Sequence, residues 1–412
     1  MKIKLFFLLF VSQFALAQQR TCGMEQQMQR IMNDPIARQN YLDLQAKFEI
    51  ELAKLENAQN QRAATPAATI YVPVAVHFPD VTTPTTCLKT LAQSQINVLN
   101  ADYNGTNADI SNWTSTVSAF YPGTNTGSLN IQFVLANQNH PAGTGLVNGN
   151  LAVTFGTDFL GGADNDSTWA GYFNLVCRDA GSGILGYSPL GGSLSSGATV
   201  VIAVSAFGSG AGCPGYVPGS PYHLGRTLTH ELGHFFNLNH TFNGCTTAAN
   251  CATSGDRVCD TPASNASVGG YPAAGSVTKC SVKTLTMNYM DYTNDACMYM
   301  FTAGQATRMQ AWYNTVSSTV KPNVLANNEF LATNFSITPN PNNGSFVVNL
   351  KEIIDNYSIE IFDIMGRTIF ERQFNQNQDL QQTITLSNKT SGLYFVSIKS
   401  KDAVLVKKIM VE

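Results

Sequence analysis

Three of the chain's six histidines fall within the eleven residues His230 to His240, HELGHFFNLNH. On a helix, His230 and His234 stand four positions apart and project from one face a turn apart, which is the geometry of two metal ligands. Glu231, one step on, points about 100° around the helix. Its carboxylate therefore lies beside a metal rather than on it, where it can act as general base on a bound water. His240 follows His234 by six positions, the wrong side of a continuing helix. The chain must break and turn back near Asn237 before His240 can become a third ligand.

This stretch resembles the metzincin zinc metalloproteases, whose pattern HExxHxxGxxH places a glycine in the left-handed conformation of that turn. Asn237 replaces the glycine here, and asparagine is the side-chain-bearing residue that most readily takes positive φ. Asn288-Tyr289-Met290-Asp291-Tyr292 resembles the metzincin Met-turn, in which a buried methionine floors the zinc site. The stretches GRTLTHELGH, GDRVCDTP and Asp295 to Met309 are similar to the cytophagalysin and pappalysin branch of the family. The resemblance spans roughly Ile70 to Trp312 and implies a catalytic Zn²⁺ on His230, His234 and His240, with Tyr292 hydrogen-bonding the oxyanion.

Three neutral imidazoles leave zinc's charge uncompensated, so water at the metal becomes acidic, with a pKa of about 7. With the resemblance, that chemistry implies an endopeptidase acting on protein or peptide substrates, expected to be secreted from the export signal at Met1 to Ala17. The rival reading is a non-catalytic adhesin or binding protein with a structural zinc. Structural zinc is normally closed by four protein ligands, and this motif offers three and a carboxylate. Asp295 lies five residues past Met290, in the segment that in metzincins walls the pocket for the residue after the scissile bond. No Lys or Arg lies in Thr293 to Met300 to neutralise it. An unpaired carboxylate there should select Arg or Lys. An Asp that only caps a local turn is the plainer alternative.

The elements that must position these residues begin after an export signal. Met1 to Ala17 has two lysines, an apolar run and Ala15-Leu16-Ala17, as a secretory signal peptide does, with cleavage expected before Gln18. With 412 residues the chain can hold two or three domains. Charged residues are 12% and net charge is −3, which offers no basic field for nucleic acid and no polybasic membrane patch. No stretch reaches the roughly 20 apolar residues of a transmembrane segment. Residues 18–63 read as a propeptide, helical over Met24 to Asn57 and ending in a polar linker. Cys22 is the odd one of nine cysteines. Its thiolate could occupy zinc's open position and hold the enzyme latent, the other eight being left for disulfides. The linker bond Gln61-Arg62 precedes a basic residue, so autolytic maturation is expected there.

Residues 64–325 read as an α+β catalytic domain, a twisted sheet backed by the active-site helix with an irregular lower subdomain. Strands are expected at Ile70 to Phe78, Leu129 to Leu135, Tyr172 to Val176 and Ala198 to Val204. A helix is expected over Cys87 to Tyr103, and loops over 140–168. His77 reads as a satisfied core or edge histidine. Beyond His240, Cys245, Cys251, Cys259, Cys280 and Cys297 crosslink sequence poor in apolar periodicity. Asp256 with the main-chain oxygen of Thr261 could bind Ca²⁺, or the two could simply cap their own turn.

Residues 330–412 read as an all-β sandwich of about seven strands without cysteine or histidine. Asp363-Ile-Met-Gly-Arg367, Ser391-Gly-Leu-Tyr394 and Lys407 to Val411 resemble the C-terminal sorting domain of type IX secretion substrates. That resemblance implies the type IX secretion machinery as partner, and passage through the periplasm to the cell surface or medium.

Overall fold

The computed structural model describes residues 20–59, 69–81, 83, 85–156, 165–181, 183–325, 335–350, 357–374, 380–386, 390–399 and 404–412. The expected signal peptide and the Gln61-Arg62 bond lie outside them. Two helices open the described chain, α1 (Met24–Asn33) and α2 (Pro35–Gln59). Proline stands first in α2, where its missing N–H is no loss. Asp34 ahead of it caps the helix, its Oδ1 accepting from the amides of Ile36 at 2.9 Å and Ala37 at 2.8 Å.

Six strands form the sheet behind the zinc motif: β1 (Ile70–Phe78), β2 (Ile131–Leu135), β3 (Val153–Phe155), β4 (Phe173–Cys177), β5 (Gly186–Tyr187) and β6 (Thr199–Ile202). Their order is β2-β1-β4-β6-β5, and β3 also pairs with β1. All neighbours are parallel except β5, which runs antiparallel to β6 at the edge. β3 corrects the expectation of loops over 140–168. It is a three-residue strand, buried throughout, and too short for alternation to reveal.

Helix α3 (Thr86–Asn104) starts at a Thr85 cap and stops at Gly105, φ 61°. Its Leu88, Leu91, Ala92, Ile96, Leu99 and Tyr103 are buried at helical spacing and join the main core with the sheet. Helix α4 (Arg226–Phe235) carries His230, Glu231 and His234 and packs against β5 and β6. Between α4 and α5 (Ala303–Val316) the chain is irregular, apart from the two-residue strands β7 (Thr278–Lys279) and β8 (Val282–Lys283) and a single 3₁₀ turn at Asp295–Cys297. α5 opens with a reciprocal capping box between Thr302 and Gln305. Phe48 and Leu52 of α2 are buried in this same core, Phe48 with its ring centroid 5.6 Å from that of Trp312 in α5.

The cysteines pair as Cys87–Cys213, Cys245–Cys280 and Cys251–Cys259. The expectation of one odd cysteine is corrected to three unpaired ones, Cys22, Cys177 and Cys297. Parity could not reveal this, since Cys177 lies in β4 and packs as a small apolar side chain.

The C-terminal unit has a three-stranded antiparallel sheet, order β13-β10-β9, and a four-stranded one, order β12-β11-β14-β15. Its strands are β9 (Phe335–Thr338), β10 (Ser345–Leu350), β11 (Tyr357–Asp363), β12 (Thr368–Phe374), β13 (Gln381–Thr385), β14 (Gly392–Lys399) and β15 (Val404–Val411). Alternate residues such as Phe346, Val348, Leu350 and Ile359, Ile361 turn into its own core.

His77 is fully buried in β1, with Nδ1 2.7 Å from Thr154 Oγ1 and Nε2 3.1 Å from Asn174 Oδ1. Burial lowers its pKa from 6.5 to about 3. The folded protein thus holds the ring neutral where an unfolded chain would protonate it. That contribution is present above pH 6.5 and lost as pH falls from 6.5 toward about 3. Thermal unfolding followed from pH 7 to 4 should show a shallower acid decline for His77→Gln than for the natural chain. Parallel curves would exclude His77 as the source.

Candidate zinc centre and cleft

Helix α4 ends at Phe236, and Asn237 follows with φ 67°. The break returns the chain so that His240 faces the helix. His234 Nε2 lies 3.2 Å from His230 Nε2 and 3.1 Å from His240 Nε2. The opposite ring nitrogens face carbonyl oxygens: His230 Nδ1 lies 2.6 Å from Tyr289 O, and His234 Nδ1 2.7 Å from Leu238 O. A carbonyl can only accept, so in these two rings Nδ1 carries the proton and the Nε2 lone pairs point into the cluster. Burial drives all three imidazoles toward the neutral form, His234 to a pKa of about 4 and His230 and His240 well below their ordinary value. Lone pairs brought this close repel unless a cation sits between them, so the three neutral imidazoles form a donor set that fits zinc.

Met290 is fully buried beneath α4, with its sulfur against Gly233. A Cβ at position 233 would come within 2.4 Å of that sulfur, so any larger residue there would push Met290 from its place. Glu231 is buried beside the cluster, and burial pushes its pKa up to about 8. A Cβ on Gly186 of β5 would come within 2.8 Å of Glu231 Cγ, so glycine at that edge position makes room for the carboxylate. Tyr292 stands over the site, its ring centroid 5.0 Å from His240 and 4.8 Å from Phe242, and it hydrogen-bonds the backbone of Cys22.

A fourth donor comes from the chain's start. The Cys22 sulfur and the three histidines offer ligand atoms all within 4.8 Å of one another. Thr21 to Gly23 runs along the sheet edge as an added strand, with Leu185 N donating to Thr21 O and Gly23 N to Gly186 O, both at 2.9 Å. Cys22 Sγ lies 3.3 Å from Glu231 Oε2. Burial and the Glu231 carboxylate push the thiol well above its ordinary pKa, so a thiolate there needs the metal's charge.

Asp295 is fully buried and not unpaired, which corrects the expectation from its immediate sequence neighbours. Its cation comes from 275 residues away: Arg20 Nη2 lies 2.5 Å from Asp295 Oδ1. Arg20 also donates to Thr227 Oγ1 and Thr293 O and lies over the Tyr222 ring. Asp295 Oδ2 accepts from the amide of Leu224 at 2.8 Å. Arg20, Gly186 and Phe242 had no sequence signal tying them to the site, because strand addition and the α4 turn bring them there. Asp256 serves its own turn, with Oδ1 accepting from Val258 N at 3.1 Å and Oδ2 lying 2.5 Å from the Thr261 hydroxyl.

These features define a metzincin-type metalloprotease domain followed by a β-sandwich. Residues 219–314 match the family described as pregnancy-associated plasma protein-A, and residues 336–412 match the secretion system C-terminal sorting domain. Residues 219–314 are thus similar to that family of metallopeptidases, and residues 336–412 to the sorting domain of exported proteins. An extracellular metalloprotease of Verticillium alfalfae is 50% identical over 23% of this chain and 33% of its own length. One of Pyricularia oryzae is 34% identical over 44% of this chain and 60% of its own. The chain thus spans between a third and three fifths of these two relatives. A mutant promirolysin of Tannerella forsythia superposes with a TM-score of 0.52 at 26% identity, covering 74% of this chain and all of that one.

Asn237 does more than supply positive φ. Its side chain forms a reciprocal amide pair with Gln45 of α2, both hydrogen bonds at 3.1 Å. A glycine could not make it. At about 1 kcal/mol net per hydrogen bond, Gln45→Ala should speed amide exchange across 236–240 by roughly five- to thirtyfold without unfolding the domain. Unchanged exchange measured by mass spectrometry would mean the pair carries no stability.

Proposed function

We propose that the chain is a secreted zinc-dependent endopeptidase made as a latent precursor. The reading rests chiefly on the convergence of the His230, His234 and His240 Nε2 atoms beside the buried Glu231 carboxylate. When bound, zinc supplies the Lewis acidity that acidifies a water and polarises the scissile carbonyl. Glu231 takes the proton from that water and returns it to the leaving amine. Tyr292 donates its hydroxyl to the oxyanion once the Cys22 backbone has left it. Calcium at Asp256 and Thr261 is not needed for any of these steps.

In the precursor, residues 18–63 act as the prosegment, with Cys22 as fourth zinc ligand and Arg20 against Asp295. A guanidinium seated on Asp295 supports a pocket that prefers Arg or Lys just after the scissile bond. The catalytic domain is assigned to 64–325 and the sorting domain to 330–412, which hands the protein to the type IX secretion machinery. A closed Cys-His₃ set is also what a structural zinc would have, so the rival is an adhesin. The two differ in whether residues up to the linker come off and leave zinc an open position.

Zinc content and casein cleavage of the matured protein beside its Glu231→Ala form decide the matter. About one zinc in both, with cleavage lowered at least about 10³-fold in the variant, is expected. Zinc in both and cleavage in neither would leave the binding protein. Maturation tests the specificity: N-terminal sequencing should find Arg62, absent in Glu231→Ala and redirected or slowed in Asp295→Ala. Another start, together with peptide cleavage indifferent to a basic residue after the cut, would remove both the autolysis and the pocket assignment.

A further inference from the structure

Arg226 is the first residue of α4, and its side chain is almost wholly buried. Its Nη1 donates to the main-chain oxygens of Asp295, at 3.0 Å, and Met298. The same guanidinium forks onto the Asp109 carboxylate, Nη1 to Oδ2 at 2.5 Å and Nη2 to Oδ1 at 2.9 Å. Asp102 of α3 lies 3.7 Å from Nη2 and accepts in turn from Thr229 Oγ1 of α4 at 2.7 Å. The positive charge of Arg226 is thus met by Asp102 and Asp109, not by the carboxylate of Asp295. That carboxylate receives only main-chain amides on Oδ2, from Leu224 and more distantly Arg226, and leaves Oδ1 facing Arg20.

We propose that Arg226 is a positioning residue for substrate selection. It clamps the backbone of the turn at Asp295–Cys297 to the helix that carries His230 and Glu231, and so holds the pocket carboxylate at a fixed distance from the scissile bond. The ligand it serves is the guanidinium or ammonium of the residue after that bond. This deepens the specificity reading and rests on it. Arg226 neutralises two acids and grips two carbonyls with one planar fork, which leaves Asp295 Oδ1 open to a cation. A lysine keeps the charge but, as a compact ammonium, cannot span Asp109 and both carbonyls.

The test is steady-state cleavage of two peptides differing only in Arg or Leu after the cut bond, by the matured full chain, Arg226→Lys and Asp109→Asn, with zinc content measured on each. The natural chain should prefer the Arg peptide. Arg226→Lys should raise KM for it about tenfold, as loss of a charged hydrogen bond does. Its kcat on both peptides should stay within about twofold, and zinc should be retained. Asp109→Asn, which loosens the clamp from its more exposed side, should move KM the same way by a few-fold and decides the case if Arg226→Lys does not fold. A natural chain indifferent to Arg would end the pocket reading and this inference together. A selective natural chain with equally selective variants, or variants losing kcat on both peptides alike, would overturn the role of Arg226 alone.

Discussion

Three imidazole nitrogens gathered in a buried pocket, that of His234 3.2 Å from His230 and 3.1 Å from His240, are the constraint on which the rest of the domain turns. Neutral rings with lone pairs opposed at that range repel, and burial prevents protonation from relieving them. The arrangement therefore suits a cation held between the rings, and the scaffold orients them for it. Helix α4 fixes two rings by its pitch, and Asn237 at φ 67° fixes the third by reversing the chain. Carbonyls of Tyr289 and Leu238 set the orientation of two rings by accepting from Nδ1. Tyr289 belongs to the Met-turn, so the segment that floors the site also orients one of its ligands.

The N-terminal segment uses the same cleft twice. Its strand-like pairing with β5 places Cys22 at the metal site and Arg20 at Asp295, two residues apart. Adjacent odd and even positions of an extended chain point to opposite sides, whereas i and i+2 share one. The spacing Arg-x-Cys therefore lets one short strand reach both features. Away from the cleft, α2 is anchored by Phe48 on Trp312 and by Gln45 on Asn237, so the segment grips the turn of the zinc motif from behind as well.

Two buried acid–arginine groups meet at the N-terminus of α4. An Asp295 carboxylate with no counter-charge would be costly in so buried a place, and the fold provides Arg20. The cation nearer in sequence, Arg226, is directed to Asp102 and Asp109 instead. Each arginine thus has its own acids, Arg226 those of α3 and the loop after it, and Arg20 that of Asp295.

Much of this was legible in the sequence because it depends on local rules. Ligand spacing on a helix, the break required before His240 and the strands of the C-terminal unit all follow from geometry within a few residues. The unpaired Cys177 and Cys297, the short β3, the partner of Asp295 and the second use of Asn237 were not legible. Each depends on groups 100 or more residues apart, or on a segment too short to show a period, as with Arg20 and Asp295 or Gln45 and Asn237. The sequence by itself determined which atoms could bind a metal and act as a base. Only the tertiary structure decided which charges face one another, because that is set by how sheet edge, helices and turns meet in space.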